Sequence, residues 1–307
     1  MTTFIEMEAG LKILPAFANR CWVNVECPDE DDFNFLTQEL NIPEEFLSDI
    51  ADLDERPRTE HEGDWQLTIL RIPVESNIQG APYTTVPIGI ITNERATVSV
   101  CYKKSQMLPD FINHIRRKSI NFESQSDFIT RLIYSSAVWF LKYLKIIYLE
   151  VTTAEKALES SIRNEDLLRI MRLQKSLVYF STSIRGNEAM LGRLRTVNKA
   201  QIVDPELIED VVIELRQAYN TVNIYSDIVT GTMDAFASII SNNVNTIMKR
   251  MTSLSIVLMV PTLIASFYGM NVDIHIGKIP YAFVGIVLFS LLLSVLAFYI
   301  FRKIKWF

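Results

Sequence analysis

Taken in steps of four and three from Asp234, the residues Asp234, Ser238, Ser241, Asn245, Met248, Thr252, Ser255, Met259, Thr262, Ser266 and Gly269 share one face of a helix. That face is acidic, then hydroxylated, and it stays polar or soft through Met251 to Tyr268, a stretch without a charged residue. Hydroxyl, amide and thioether groups in a row suit repeated weak contact with a cation and its water, favourable enough for entry and loose enough for exit. Small and hydroxylated residues also form ordinary helix–helix seams in membranes. The stripe by itself therefore admits both a pore lining and a packing seam. At its far end stands Tyr268-Gly269-Met270-Asn271.

The elements that must hold this stripe are long and apolar. Met251 to Tyr268 spans about 27 Å as a helix and Ile279 to Phe301 about 33 Å, each near the thickness of a hydrocarbon core. The short connection from Gly269 to Lys278 makes them an antiparallel hairpin. Lys249 and Arg250 precede the first span, and Arg302, Lys303 and Lys305 follow the second, whereas the loop offers Lys278 against Asp273. The excess of basic residues places both ends of the hairpin on the cytoplasmic side and the loop outside, with Tyr268, Tyr281 and Trp306 as interfacial anchors. Two spans cannot enclose a polar pathway, so a pore needs several copies about an axis.

Upstream, Asp204-Pro205-Glu206 reads as a helix start, with a capping Asp and Pro at the first helical position. No further proline occurs before Pro261, which predicts one helix of about 90 Å running from cytosol into membrane. Gly231 weakens its interior by roughly 1 kcal/mol. Asp127 to Ser161 and Glu165 to Val197 carry the spacing of two more long helices, broken near Asn164. Before about residue 120, Trp65 to Ile72, Val86 to Ile91 and Ala96 to Tyr102 read as strands, with helix starts at Pro43 and Leu108. The expected fold class is a membrane protein of α+β type: a cytoplasmic α/β domain, long stalk helices and a C-terminal transmembrane hairpin.

Composition narrows the function. Of 307 residues, 30 are Lys or Arg and 36 Asp or Glu, a formal charge of −6. Acids crowd one stretch, Asp29 to Asp32 and Glu39 to Glu55, either a solvated face or a surface that raises local cation concentration. No basic patch with interleaved aromatics points to nucleic acid. Cys21, Cys27 and Cys101 lack metal or redox spacing and suit a reducing cytosol. His61, His114 and His275 are scattered, and no Gly-rich phosphate loop occurs, so neither an enzyme nor an organic cofactor is expected. The N-terminus does not read as a signal peptide.

Gly269-Met270-Asn271 at the end of the first of two C-terminal spans, followed by a short loop and the basic Arg302-Lys303-Ile304-Lys305-Trp306-Phe307, resembles the CorA family of magnesium transporters. The likeness extends through Pro261-Thr262, the segment Ser241 to Lys249, and Arg56-Pro57-Arg58 just before the first expected strand. The resemblance implies a homopentamer in the cell (inner or plasma) membrane, with both termini cytoplasmic and a cytoplasmic funnel. It conducts hydrated Mg²⁺, with Co²⁺ or Ni²⁺ as further ions, and is gated by cytosolic Mg²⁺. Gly269, Met270 and Asn271 then form the selectivity motif at the outer mouth. Asn245, Met248, Met251, Thr252, Ser255, Met259 and Thr262 line the pore, the methionines as a hydrophobic constriction. Asp210, Asp227 and Asp234 match carboxylate positions, with Asp210 at an inter-subunit regulatory Mg²⁺ and Glu75 as its candidate partner acid. Mg²⁺ sheds water reluctantly, so a ring of neutral Asn carbonyls that holds the hydrated ion is chemically apt.

The implied division is 1–125 for the cytoplasmic α/β domain, 126–203 for a helical hairpin and 204–250 for the cytoplasmic stalk. Residues 251–271 and 279–301 are then the spans, with the outer loop at 272–278 and a basic tail at 302–307. The loop departs from the acidic family pattern by carrying His275 and Lys278, and an imidazole there suits Co²⁺, Ni²⁺ or Zn²⁺. Two alternatives follow: a zinc transporter of the ZntB-like branch, and a membrane-anchored helical sensor without transport.

Overall fold

The computed structural model describes residues 2–7, 11–75, 80–160, 163–197, 204–270, 281–304 and 306, in two units, Met1–Gly231 and Thr232–Phe307. The first unit is built on a seven-stranded sheet. In chain order its strands are β1 (Thr2–Glu6), β2 (Ile13–Leu14), β3 (Cys21–Glu26), β4 (Arg58–Glu62), β5 (Trp65–Glu75), β6 (Tyr83–Thr92) and β7 (Thr97–Cys101). Their spatial order is β2-β1-β3-β7-β6-β5-β4, and only β3 and β7 run parallel. Four strands beyond the three expected from sequence are present, and β4 begins at Arg58, inside the segment placed before the first strand. The reason is local. β3 is buried on both faces and so lacks alternation, while β4 is polar and largely exposed.

Successive side chains of β3 and β7 point to opposite sides and so sort the two faces of the sheet. Val23, Val25, Val98 and Val100 join Leu67, Ile69 and Ile91 in a core shared with Phe46, Leu47 and Ile50 of α2 (Glu44–Ala51), which follows the short α1 (Glu30–Asn34). A Cβ on Gly89 would lie 2.1 Å from Ile50 Cδ1, so only glycine lets α2 settle this deeply. On the opposite face Trp22 meets Phe111 of α3 (Met107–Lys118) and Phe128 of α4 (Gln125–Ser160), all edge-on. Its indole donates to Ser99 Oγ at 2.8 Å, and Ser99 in turn donates to Asn24 Oδ1.

The long helix α5 (Asn164–Val197) solves an edge problem. β4 pairs with β5 only as far as Ile69, which leaves the outer backbone groups of Arg71 without a strand partner. Asn187, fully buried, supplies both halves: its Oδ1 accepts from Arg71 N at 2.9 Å and its Nδ2 donates to Arg71 O at 2.7 Å. One turn earlier Ser183 bonds Thr85, whose oxygens also take the Arg71 guanidinium. Gly186 admits Pro57, because a Cβ there would lie 2.9 Å from Pro57 Cγ. Arg58 is held among Asp49, Glu55 and Glu60. The Arg-Pro-Arg segment is thus a packing element between α5 and the sheet.

Helix α6 (Pro205–Tyr268) runs for 64 residues from the first unit into the second, and α7 (Ala282–Lys303) completes the chain's regular structure. Asp204 caps α6 as expected, accepting from Glu206 N at 3.0 Å. Gly231 and Pro261 both lie inside it without ending it. Among the described residues three helices are long and apolar enough to cross a membrane, and burial separates them: 44 % of the apolar window of α4 is buried, against 6 % in α6 and in α7.

Replacing Asn187 by Leu is expected to strand the Arg71 amide and carbonyl, at about 1–3 kcal/mol for each group. Thermal unfolding of the detergent-solubilised full chain should show a lowered midpoint, and an unchanged midpoint would remove Asn187 from its edge-covering role.

Candidate functional site

Within the second unit, α6 has two unlike sides. Asp234, Ser238, Ser241, Asn245, Met248, Met251, Thr252, Ser255, Met259, Thr262, Ser266, Gly269 and Met270 are all exposed. At 100° per residue the less exposed positions, Ser253, Val257, Val260, Pro261 and Ile264, centre on the opposite side. Ser253 is completely buried. At the far end Ile264, Phe267 and Tyr268 line a cavity of about 310 Å³ together with Ala282, Gly285, Ile286 and Phe289 of α7. Helix α7 therefore backs this side of α6, and the polar stripe faces away from it with no partner among the described residues of its own unit.

Two hydroxyls of the stripe have a defined polarity. Ser255 Oγ donates to Met251 O at 2.9 Å, and Thr262 Oγ1 donates to Leu258 O at 3.1 Å. Each proton is returned to its own helix, so what points outward is an oxygen that accepts. At the helix end Gly269 N donates to Ala265 O at 2.9 Å and Met270 N to Phe267 O at 3.4 Å, a tightened last turn. A Cβ on Gly269 would meet Ala265 O at 3.2 Å, a close but not forbidding contact. Asn271, the expected loop 272–278 with His275, and Ile279 and Pro280 of the expected second span lie outside the described residues.

The carboxylates named from the sequence are dispersed. Asp227 and Asp234 are exposed on α6. Asp210 is exposed at the rim of a cavity of about 270 Å³ formed by α3, α4 and α6, where Arg131, His114, Lys118, Tyr134 and Trp139 also stand. Burial, then the charges of Glu214 and Asp210, push the Tyr134 phenol up, while burial and the nearby Lys118 and Arg117 hold His114 down. Nothing in the spacing of the sequence signalled this cavity, because its walls come from three distant helices. Glu75 is exposed at the end of β5, close to Tyr83 and Tyr143. Tyr83 donates to Glu150 at 2.6 Å, and its phenol is raised by burial, by that bond and by the charge of Glu75. Among the described residues no three His, Cys, Asp or Glu side chains converge on a metal position. One chain thus does not gather Asp210, Asp227, Asp234 and Glu75 into a site.

Comparison with known proteins bears on the whole chain. Residues 18–303 match the sequence profile of the CorA-like Mg²⁺ transporter proteins. A cobalt/magnesium transport protein CorA of Methanocaldococcus jannaschii is 25 % identical over 292 residues, covering 93 % of this chain and 90 % of that one. The complete structure of the CorA magnesium transporter from the same organism superposes with a TM-score of 0.86 at 21 % identity, over 100 % of this chain and 99 % of the other. The ZntB cytoplasmic domain from Vibrio parahaemolyticus shares the fold more distantly, with a TM-score of 0.57 at 15 % identity over 80 % of this chain and 98 % of that one.

In a variant with Cys21, Cys27 and Cys101 replaced, cysteines at Thr252, Met259 and Thr262 are expected to react with a charged, water-borne thiol reagent in reconstituted protein. Cysteines at Val257 and Ile264, on the α7 side, are expected to be protected. Equal protection at all five positions would show that the stripe is covered by lipid or protein and not by water.

Proposed function

Because this chain belongs to the CorA-like family of Mg²⁺ transporter proteins, we propose that it assembles as a homopentamer whose α6 helices turn their polar stripes towards a common axis. The observation that carries this reading is the two-sidedness of α6, whose apolar side is backed by α7 while its polar side has no partner among the described residues of the second unit. In this reading residues 251–271 and 279–301 cross the bilayer with 272–278 outside. Residues 1–125, 126–203 and 204–250 and the tail 302–307 are cytoplasmic.

The substrate fits the acceptors. A hydrated divalent cation presents water hydrogens outward, and Ser255 and Thr262 present oxygens whose own protons are already committed to the helix. Such rings hold the water shell without stripping it, which a metal that dehydrates reluctantly requires. Gly269, Met270 and Asn271 form the outer mouth, where neutral amide oxygens continue the same logic. Met248, Met251 and Met259 form an apolar constriction that excludes water when narrow. Mg²⁺ is the principal ion, with Co²⁺ and Ni²⁺ as lesser substrates.

Regulation follows from exposed acids. Asp210 on one subunit and an acid such as Glu75 on its neighbour repel each other until Mg²⁺ bridges them, so cytosolic Mg²⁺ stabilises the closed, symmetric assembly. Asp227 and Asp234 add carboxylates along the same helix. When the ion falls, the closed state loses that ligand-linked stabilisation.

In liposomes loaded with a Mg²⁺ indicator, Asn271→Ala is expected to lower influx by about tenfold or more, the scale of one lost hydrogen bond to a charged partner. Full flux in this variant would contradict the outer-mouth role, and a panel of Mg²⁺, Co²⁺, Ni²⁺ and Zn²⁺ fixes the preferred ion. Millimolar Mg²⁺ is expected to protect the wild-type cytoplasmic region from protease and to protect Asp210→Ala less. Identical digestion patterns would remove the sensor.

A further inference from the structure

The cytoplasmic end of the hairpin carries charge that its own unit does not answer. Lys249 and Arg250 on α6 and Arg302 and Lys303 on α7 are exposed. No Asp or Glu occurs from Ala235 to Met270 or from Tyr281 to Ile304. Among the described residues none of the four basic side chains forms an ion pair.

The two pairs lie at one level. The shared cavity sets Tyr268 beside Gly285. Eighteen residues back along α6 is Arg250, and eighteen forward along α7 is Lys303, each about 27 Å from that reference. Lys249 and Arg250 also fall on the half of α6 that carries buried Ser253 and half-buried Val257, away from the polar stripe. The tail then turns back at this level. Trp306 N donates to Phe301 O at 3.0 Å, and the Trp306 ring stacks on Phe301 with centroids 5.5 Å apart. An aromatic side chain folded beside unanswered cations, at the end of two apolar helices, is the arrangement that receives a phosphate headgroup above and an acyl chain below.

We propose that Lys249, Arg250, Arg302 and Lys303, with Trp306, form a binding site for the phosphate of an anionic phospholipid in the cytoplasmic leaflet. The lipid joins the ends of α6 and α7, and because α6 also carries the polar stripe, it steadies the helix that transport depends on. The site faces the periphery of the assembly, on the side of α6 opposite the axis. This inference rests on the hairpin spanning the bilayer in the proposed orientation.

The test uses full-length protein in phosphatidylcholine vesicles containing a minor fraction of brominated phosphatidylglycerol or, in parallel, brominated phosphatidylcholine. Quenching of Trp306 is isolated by subtracting the Trp306→Phe variant. Brominated phosphatidylglycerol should quench more strongly at equal mole fraction. In the double variant R250Q/K303Q that preference should fall by about fivefold or more, the effect expected for surface cations facing anionic lipid. Equal quenching by both lipids in the wild type overturns the headgroup site and leaves the membrane span standing. Loss of the preference on adding millimolar inorganic phosphate overturns a lipid-specific site in favour of a soluble anion. Quenching by neither lipid overturns both this site and the proposed placement of the hairpin.

Discussion

A helix that enters hydrocarbon cannot leave its polar side to lipid, because no water is there to accept or donate for it. Everything in the second unit answers to that constraint. α7 spends its surface on the apolar side of α6, where Ser253 is buried and Pro261 and Ile264 are half-buried. The other side, from Asn245 through Met259 to Ser266, is left for something outside the unit. Self-satisfied hydroxyls at Ser255 and Thr262 reduce the cost of that exposure without abolishing it, since their oxygens still accept. A packing seam and a water-filled lining both cover such a face, and both require further copies of the chain. Membership of the CorA-like Mg²⁺ transporter family supports the proposed lining over an anchored sensor.

The first unit holds the N-terminal part of α6 and leaves Asp210 and Asp227 exposed along it. Its rigidity comes from close approaches that no larger residue permits, Gly89 against Ile50 and Gly186 against Pro57, and from Asn187 closing the open edge of β5. Along α6, Val211, Leu215, Ala218 and Val222 are buried, while Asp210 sits at a cavity rim and Asp227 stands in solvent. Exposed acids on a firmly seated helix suit the proposed cation-dependent contact between neighbouring subunits.

Legibility in the sequence followed the physics of each element. The long helices and the capping at Asp204 were readable because their signals are local: apolar spacing, proline at the first turn, a side-chain acceptor. The polar stripe was readable for the same reason. β3 was not, since a strand buried on both faces has no alternation to detect, and β4 was hidden by its polarity. The role of Arg56-Pro57-Arg58 was also out of reach, because it depends on Gly186, well over a hundred residues away. The proposed regulatory acids could be named only through resemblance, and among the described residues of one chain no three such side chains converge. A site of the proposed kind, completed by a neighbour, would leave no local spacing to read.

The central claim is that identical copies meet along the stripe and not along its reverse, and cross-linking between copies tests it most directly. In a cysteine-free background in native membranes, a single cysteine at Ser255 is treated with a short bifunctional thiol reagent and compared with a single cysteine at Val257. Covalent dimers are expected from position 255 and monomer from position 257. Dimers from Val257 with none from Ser255 would contradict the axial arrangement.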